Sequence, residues 1–232
     1  MHAQLVLFDG FDPLDVIAPY EVLYAGGLAS GGAVTVELVS AEGPREVVSG
    51  IGGLTLRATA HLAPERADLV LVPGAAGRVG EADAEPADGE NAGGTGDATA
   101  DGSIRPVLAR AAETALPRLL KAAMDDARVT VATVCGGSLV LALAGLLEGR
   151  RATTHHQGTD LLEAAGVTAV AARVVDDGNL VTGAGVTSGL DLGLYLLERE
   201  IGPQVAHAVE QLFAHERRGV VWSDRGPAPV AL

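Results

Sequence analysis

Short, almost unbroken apolar runs recur along this chain at helix-sized intervals. Gln4–Phe8 (QLVLF), Val34–Ser40 (VTVELVS), Asp68–Val72 (DLVLV) and Val129–Val134 (VTVATV) are the clearest. A strand with one wet face alternates apolar and polar residues, so runs like these suit strands buried on both faces, as in a parallel sheet. Parallel strands need crossovers. Helices are predicted over Asp15–Tyr24, Pro106–Asp126, Gly137–Leu147, Gln157–Ala165, Thr187–Ile201 and Pro203–Glu216. Pro117 lacks the amide hydrogen that a helix interior needs, so Pro106–Asp126 is expected to break or kink there. The alternation predicts an α/β fold, with helices on both sides of a mostly parallel central sheet. Glu46–Val48 and Leu54–Arg57 predict a hairpin off that sheet. Arg173–Val175 and Leu180–Thr182, around the Asp177-Gly178 step, predict a second antiparallel pair.

Length and composition bound the rest. At 232 residues the chain is expected to form a single domain over 1–232, with room for one insertion. That insertion is predicted at about residues 78–103. Gly and Ala dominate there, the acids Glu81, Asp83, Glu85, Asp88, Glu90, Asp97 and Asp101 face only Arg78, and almost nothing is large and apolar. Such a composition cannot offset the entropy of ordering and reads as a flexible, solvated loop. The formal net charge of −14 repels a phosphate backbone, and the three Phe, three Tyr and one Trp supply little for base stacking, so no nucleic-acid partner is expected. One cysteine excludes an internal disulfide. With no basic leader before the first apolar run and no run long enough to span a bilayer, a cytoplasmic protein without a membrane partner is expected.

The sharpest local feature is a buried strand that runs into Cys135, then Gly136-Gly137-Ser138, then an apolar helix (LVLALAGLL). This is the layout of a nucleophile elbow, where the strand turns into a helix so tightly that the residue at the turn is presented above the sheet edge. Glycine is expected at position 136 because a Cβ there would collide with neighbouring backbone. The helix N-terminus is expected to favour the thiolate, and the Gly136 N–H to meet negative charge forming on a substrate. Read without this context, an unpaired cysteine is a small buried hydrophobe.

Two groups could move a proton for such a thiol. Asp15 falls at the start of the first predicted helix, where it serves either as an N-cap or as an acid–base partner of the cysteine. His155, in Thr153-Thr154-His155-His156, could orient or deprotonate the thiol, or cap the helix beginning near Gln157. The six histidines show no tight ligand spacing, so no metal is expected. The turn Val72-Pro73-Gly74-Ala75-Ala76-Gly77 lacks the Lys-Ser/Thr ending of a phosphate-binding loop.

With these residues in view, the chain resembles the ThiJ/PfpI superfamily (class I glutamine amidotransferase-like), in its isocyanide hydratase-like branch. The matching pieces are Leu14-Asp15-Val16-Ile17-Ala18-Pro19, Val72-Pro73-Gly74, Val134-Cys135-Gly136-Gly137-Ser138, Gly149 through His155, Asp177 through Gly183, and Gly185 through Leu192. The resemblance implies a flavodoxin-like three-layer sandwich, a homodimer, Cys135 as nucleophile with Asp15 beside it, and His155 near the cysteine. It further implies an anion-binding pocket from the backbone of Gly74, Ala75 and Gly136. The implied reaction is cofactor-independent hydration of an isocyanide to an N-substituted formamide through a thioimidate on Cys135, with amidase or glyoxalase-type chemistry as variants. Three positions depart from the branch: Gly136 stands where Thr is common, His156 where Trp is usual, and Ala18 where Gly is typical. They bear on the substrate rather than on the fold. A different function class is also implied, since similar domains form the sensing half of AraC-type transcriptional regulators. A stand-alone sensor would read out a ligand or the oxidation of Cys135. The segment after Arg217-Arg218 is expected to leave no room for a helix-turn-helix.

Overall fold

The computed structural model describes residues 1–77, 104–227 and 230. The expected insertion at 78–103 lies outside the described residues. In chain order the elements are β1 (His2–Leu7), α1 (Pro13–Ala29), β2 (Thr35–Ser40), β3 (Arg45–Val48), β4 (Thr55–Ala58), β5 (Ala60–His61), β6 (Leu69–Val72), α2 (Ile104–Ala112) and α3 (Leu116–Asp125). They continue with β7 (Thr130–Val134), α4 (Gly137–Leu143), β8 (Arg151–Ala152), α5 (Thr159–Ala164), β9 (Thr168–Ala169), β10 (Val174–Asp176), β11 (Leu180–Gly183), α6 (Ser188–Glu200), α7 (Pro203–Phe213) and β12 (Trp222–Ser223).

Eight strands form one sheet in the order β12-β10-β11-β7-β6-β1-β2-β5. Every neighbouring pair is parallel except β10–β11. The apolar runs occupy its centre, and all four residues of β6 are at most 1% exposed. Two-faced burial is why these strands carry no polar alternation. Truncating one such residue, Leu71→Ala, is expected to cost about 2–5 kcal/mol. The first hairpin, β3–β4, stands off the main sheet as its turn chemistry suggested. The second pair, β10–β11, is antiparallel but lies within the main sheet. The predicted long helix is two, α2 and α3. Pro117 lies in the first turn of α3, where its missing amide hydrogen costs nothing.

Helices α1, α6 and α7 contact one another, as do α2, α3, α4 and α5, so the two groups make the outer layers. Helix α3 shows the one-sided pattern, burying Leu116, Leu119, Leu120 and Ala123 at helical spacing. Helix α1 is packed between the sheet and α6 and leaves a stripe at Leu14, Glu21, Tyr24 and Leu28 exposed. The packing is tight. A Cβ on Gly189 would lie 2.9 Å from Pro19 Cδ, and one on Gly193 would lie 2.9 Å from Val22 Cγ1, so α6 presents bare backbone to α1. This close approach holds the second turn of α1 against the first turn of α6. Among the described residues no helix is long and apolar enough to cross a membrane.

Candidate active site

Strands β1, β6 and β7 lie side by side at the centre of the sheet, and their carboxyl ends open onto one edge. Ligands collect at that edge in open parallel sheets. β1 leads into Asp15, β6 into Gly74 and β7 into Cys135. The loops after β1 and β6 are zipped together, because Asp12 N–H donates to Gly74 O at 2.8 Å and Ala76 N–H to Gly10 O at 3.0 Å. That pairing brings the start of α1 over Gly74.

Cys135 has a positive φ of 55°, one of two such non-glycine residues described. A left-handed conformation costs a residue with a Cβ about 1–2 kcal/mol. Neighbours hold it there: Cys135 N–H donates to Gly183 O at 3.0 Å, and its carbonyl accepts from Thr154 Oγ1 at 3.0 Å and Ser138 Oγ at 3.4 Å. The elbow is thus present, but the glycine that makes it possible is not the expected one. A Cβ on Gly136 would sit 3.7 Å from Gly74 Cα, an ordinary contact, so position 136 accepts a side chain. A Cβ on Gly137 would sit 2.2 Å from Val72 O, which cannot move without breaking the sheet. Close passage of α4 over β6 therefore requires the second glycine.

Asp15 does not cap its helix. Asp12 does, with Oδ1 accepting from Leu14 N–H at 2.9 Å. Asp15, two residues into α1, is fully buried. Its Oδ2 accepts the Gly74 N–H at 2.9 Å, and its Oδ1 has no hydrogen-bond partner among the described residues. Burial, and then the charge of Asp12, push the Asp15 carboxyl up to about 8, against the opposing pull of the Gly74 N–H and of the Cys135 thiol. Cys135 is only 8% exposed. Burial, and then the charge of Asp15, push its thiol well above the ordinary thiol range, offset in part by the Gly136 N–H. The expectation that the helix N-terminus makes an easily ionised thiolate is therefore corrected: α4 has seven residues, and desolvation outweighs its dipole. Carboxyl and thiol act on each other and titrate as a unit that resists a second negative charge. A protonated Asp15 removes the second of these two causes of the raised thiol and leaves burial to hold it up.

The Gly74 N–H, committed to Asp15, is not free to meet a substrate; Gly74 instead lets the backbone pack against Asp15, since a Cβ would lie 2.9 Å from Oδ2. Among the described residues no backbone oxygen accepts the Ala75 or Gly136 N–H. The two residues adjoin, for a Cβ on Gly136 would lie 4.0 Å from Ala75 N, and the Gly136 N–H also acts on the Cys135 thiol. His155 is turned to another task. Its Nδ1 accepts from Gln157 N–H at 3.3 Å, capping the short turn His156–Gly158, and its ring centroid lies 4.1 Å from that of His156. Burial and then His156 lower its pKa, and no hydrogen bond joins it to Cys135 or Asp15 among the described residues. The neighbour that does reach the elbow is Thr154. A cavity of about 460 Å³ backs onto it, lined in part by Thr153, Thr154, His156, Leu162, Val170 and Gly185.

Residues 106–199 match the DJ-1/PfpI family. A protein encoded in the cpoL 5' region of Streptomyces lividans is 35% identical over 162 residues, 69% of this chain and 92% of that protein. The chain belongs to the DJ-1/PfpI family. Isonitrile hydratase of Pseudomonas putida is 51% identical over 80 residues. That alignment spans 34% of this chain and 35% of the hydratase. The HTH-type transcriptional regulator CdhR of Pseudomonas aeruginosa is 40% identical over 92 residues, 39% of this chain and 27% of the regulator. A ThiJ/PfpI family protein from Pseudomonas syringae superposes with a TM-score of 0.71 at 25% identity, over 94% of this chain and 76% of that structure. This DJ-1/PfpI chain therefore has the flavodoxin-like fold. The regulator similarity stands against reading its acidity as excluding every link to nucleic acid.

Proposed function

We propose that this protein is a cysteine-dependent hydratase that converts an isocyanide to an N-substituted formamide. The observation that carries the reading is the couple between Cys135, held at a positive φ, and a fully buried Asp15 that keeps its proton near neutrality. The reacting form of the couple holds a single proton, and in the first step that proton moves from sulfur to Asp15. Sulfur bonds to the terminal carbon of R–N≡C, that carbon takes a proton from Asp15, and the product is the thioimidate R–N=CH–S–Cys135. In the second, Asp15, now a carboxylate, takes a proton from water as its oxygen bonds to the same carbon. The C–S bond then breaks, sulfur leaves with the proton that Asp15 returns, and nitrogen gains the other, giving R–NH–CHO. Net consumption is one water. One carboxyl acting first as acid and then as base needs a pKa near the working pH, which burial provides. In this reading the Ala75 and Gly136 amides meet negative charge that builds on the substrate. His155 has a supporting part at most, since its ring nitrogen is engaged in the cap. The protein is proposed to act as a homodimer in the cytoplasm, with neither metal nor organic cofactor in the steps.

A simple aryl isocyanide tests this. Formamide production by the wild type, lost in Cys135→Ala and reduced at least about 100-fold in Asp15→Asn, is expected. Equal rates in the wild type and Cys135→Ala overturn the reading. The similarity to CdhR favours a second reading, a ligand or redox sensor. It predicts no turnover, together with specific ligand binding or selective oxidation of Cys135.

A further inference from the structure

Three buried side-chain oxygens have no hydrogen-bond partner among the described residues: Asp15 Oδ1, Ser188 Oγ and Thr133 Oγ1. The sheet separates the two hydroxyls. Thr133 pairs with Thr182, and Val134 with Gly183, on the adjacent parallel strands β7 and β11. Side chains alternate between faces along a strand. A Cβ on Gly183 would lie 2.6 Å from Ser188 Oγ, so Ser188 covers the face that Gly183 and Val134 share. Thr182, and with it Thr133, points to the opposite face, where Thr182 Oγ1 accepts from Thr153 N–H at 2.8 Å.

Ser188 shares its side of the sheet with α1. It is the first residue of α6, and its neighbour Gly189 packs on Ala18 and Pro19, one turn beyond Asp15. Helices α1 and α6 each follow a parallel strand, so they run the same way, and the first turn of α6 meets the second turn of α1. On its other side Ser188 sits against Gly183, whose carbonyl accepts the Cys135 N–H. A fully buried hydroxyl thus lies against the residue that pins the elbow, on the face α1 covers, with its neighbour Gly189 on the turn of α1 that follows Asp15.

We propose that Ser188 is a positioning residue for Asp15, its hydroxyl serving as the hydrogen-bond partner of Oδ1, directly after a side-chain rotation or through one water. A hydroxyl suits a carboxyl that changes state in each turnover, because it accepts from the protonated form and donates to the ionised one. Its bond to the anion is the stronger, so it lowers the carboxyl's pKa from what burial alone would give. The other groups acting on Asp15 are Asp12 before α1, Cys135 after β7 and the Gly74 N–H after β6. Asp191, on the same stretch of α6, is tied to Arg173 at 2.7 Å. The inference rests on Asp15 acting with Cys135, and not on which substrate they process.

The test is a ¹³C-carboxyl NMR titration of Asp15 in full-length Cys135→Ala protein, which removes the thiol from the couple; Asp15→Asn identifies the resonance. Adding Ser188→Ala is expected to raise the Asp15 midpoint by about half a pH unit or more, a threefold loss of acidity. Adding Thr133→Val, which removes the unpartnered hydroxyl on the opposite face, is expected to leave it within about 0.2 unit. A midpoint that Ser188→Ala leaves in place or lowers, or that Thr133→Val moves equally, overturns the proposal. Should Ser188→Ala not fold, Ser188→Cys, of similar shape but a weak hydrogen-bonder, carries the same test with the same sign. Because the carboxyl itself is observed, failure here leaves the hydratase reading standing, and an inert enzyme leaves this result standing.

Discussion

Replacing Asp15 by asparagine should make the fold less sensitive to pH, and the size of the effect follows from burial. In the unfolded chain the carboxyl releases its proton near its ordinary 3.8, whereas in the fold it holds it up to about 8. Between those values the fold binds more protons than the unfolded chain, so stability falls as pH rises through this window and levels off above it. An offset of about 4 units at about 1.4 kcal/mol each sets a ceiling of about 6 kcal/mol. A third of that ceiling, about 2 kcal/mol, still moves the melting temperature of a chain this size by about 4–8 °C. Asparagine keeps the acceptor for the Gly74 N–H and has no proton to lose. The melting temperature of Asp15→Asn minus that of the wild type should therefore widen steadily from pH 5 to pH 8. Differential scanning calorimetry of both proteins across that range reads it, and taking the difference removes the general self-repulsion of an acidic chain. A gap that stays flat, or closes as pH rises, would mean that Asp15 is already charged in the fold at neutrality, and the acid–base argument would lose its foundation.

Three further outcomes follow. Gly137→Ala drives a Cβ against Val72 O and should cost about 1–3 kcal/mol or more in urea unfolding, while Gly136→Ala should stay within about 1 kcal/mol; the reverse order would refute the assignment of the close contact. Arg173→Leu strips the main cation from Asp191, which is 3% exposed, and should destabilise by about 3–5 kcal/mol, with Asp191→Asn restoring at least half in the double variant. Asp15→Asn removes the negative charge that holds the Cys135 thiol up, so the pH midpoint for its alkylation by iodoacetamide should fall; an unchanged or raised midpoint would show that the two groups do not interact.

Much of this architecture was readable from residues alone, because two-faced burial leaves an unmistakable mark on strands such as Leu69–Val72 and because a strand–Cys–Gly–Gly–helix junction has few alternative geometries. What the pattern could not convey is depth. Asp15 looks the same in a sequence whether it caps a helix in water or sits fully buried, yet burial, with the charge of Asp12, carries its carboxyl from 3.8 to about 8, and burial pushes the thiol beside it further from ionising. Glycine identity misled for a similar reason. Gly136 and Gly137 are adjacent, and only the crossing of α4 over Val72 shows which of them cannot carry a Cβ. His155 drew attention as a histidine shortly downstream of the elbow, while Thr154, one position earlier, makes the contact with the Cys135 carbonyl. Ser188 stood inside the matching stretch Gly185 through Leu192, but nothing there marked its hydroxyl: its proposed role comes from α6 lying bare-backboned against α1.

Rapid-quench mass spectrometry of the wild type mixed with an equimolar aryl isocyanide interrogates the sulfur itself. A transient mass gain equal to one isocyanide, confined to the peptide that contains Cys135 and absent from Cys135→Ala, is the predicted result. Formamide released at full rate with no such gain at any time, and equally by Cys135→Ala, would contradict it.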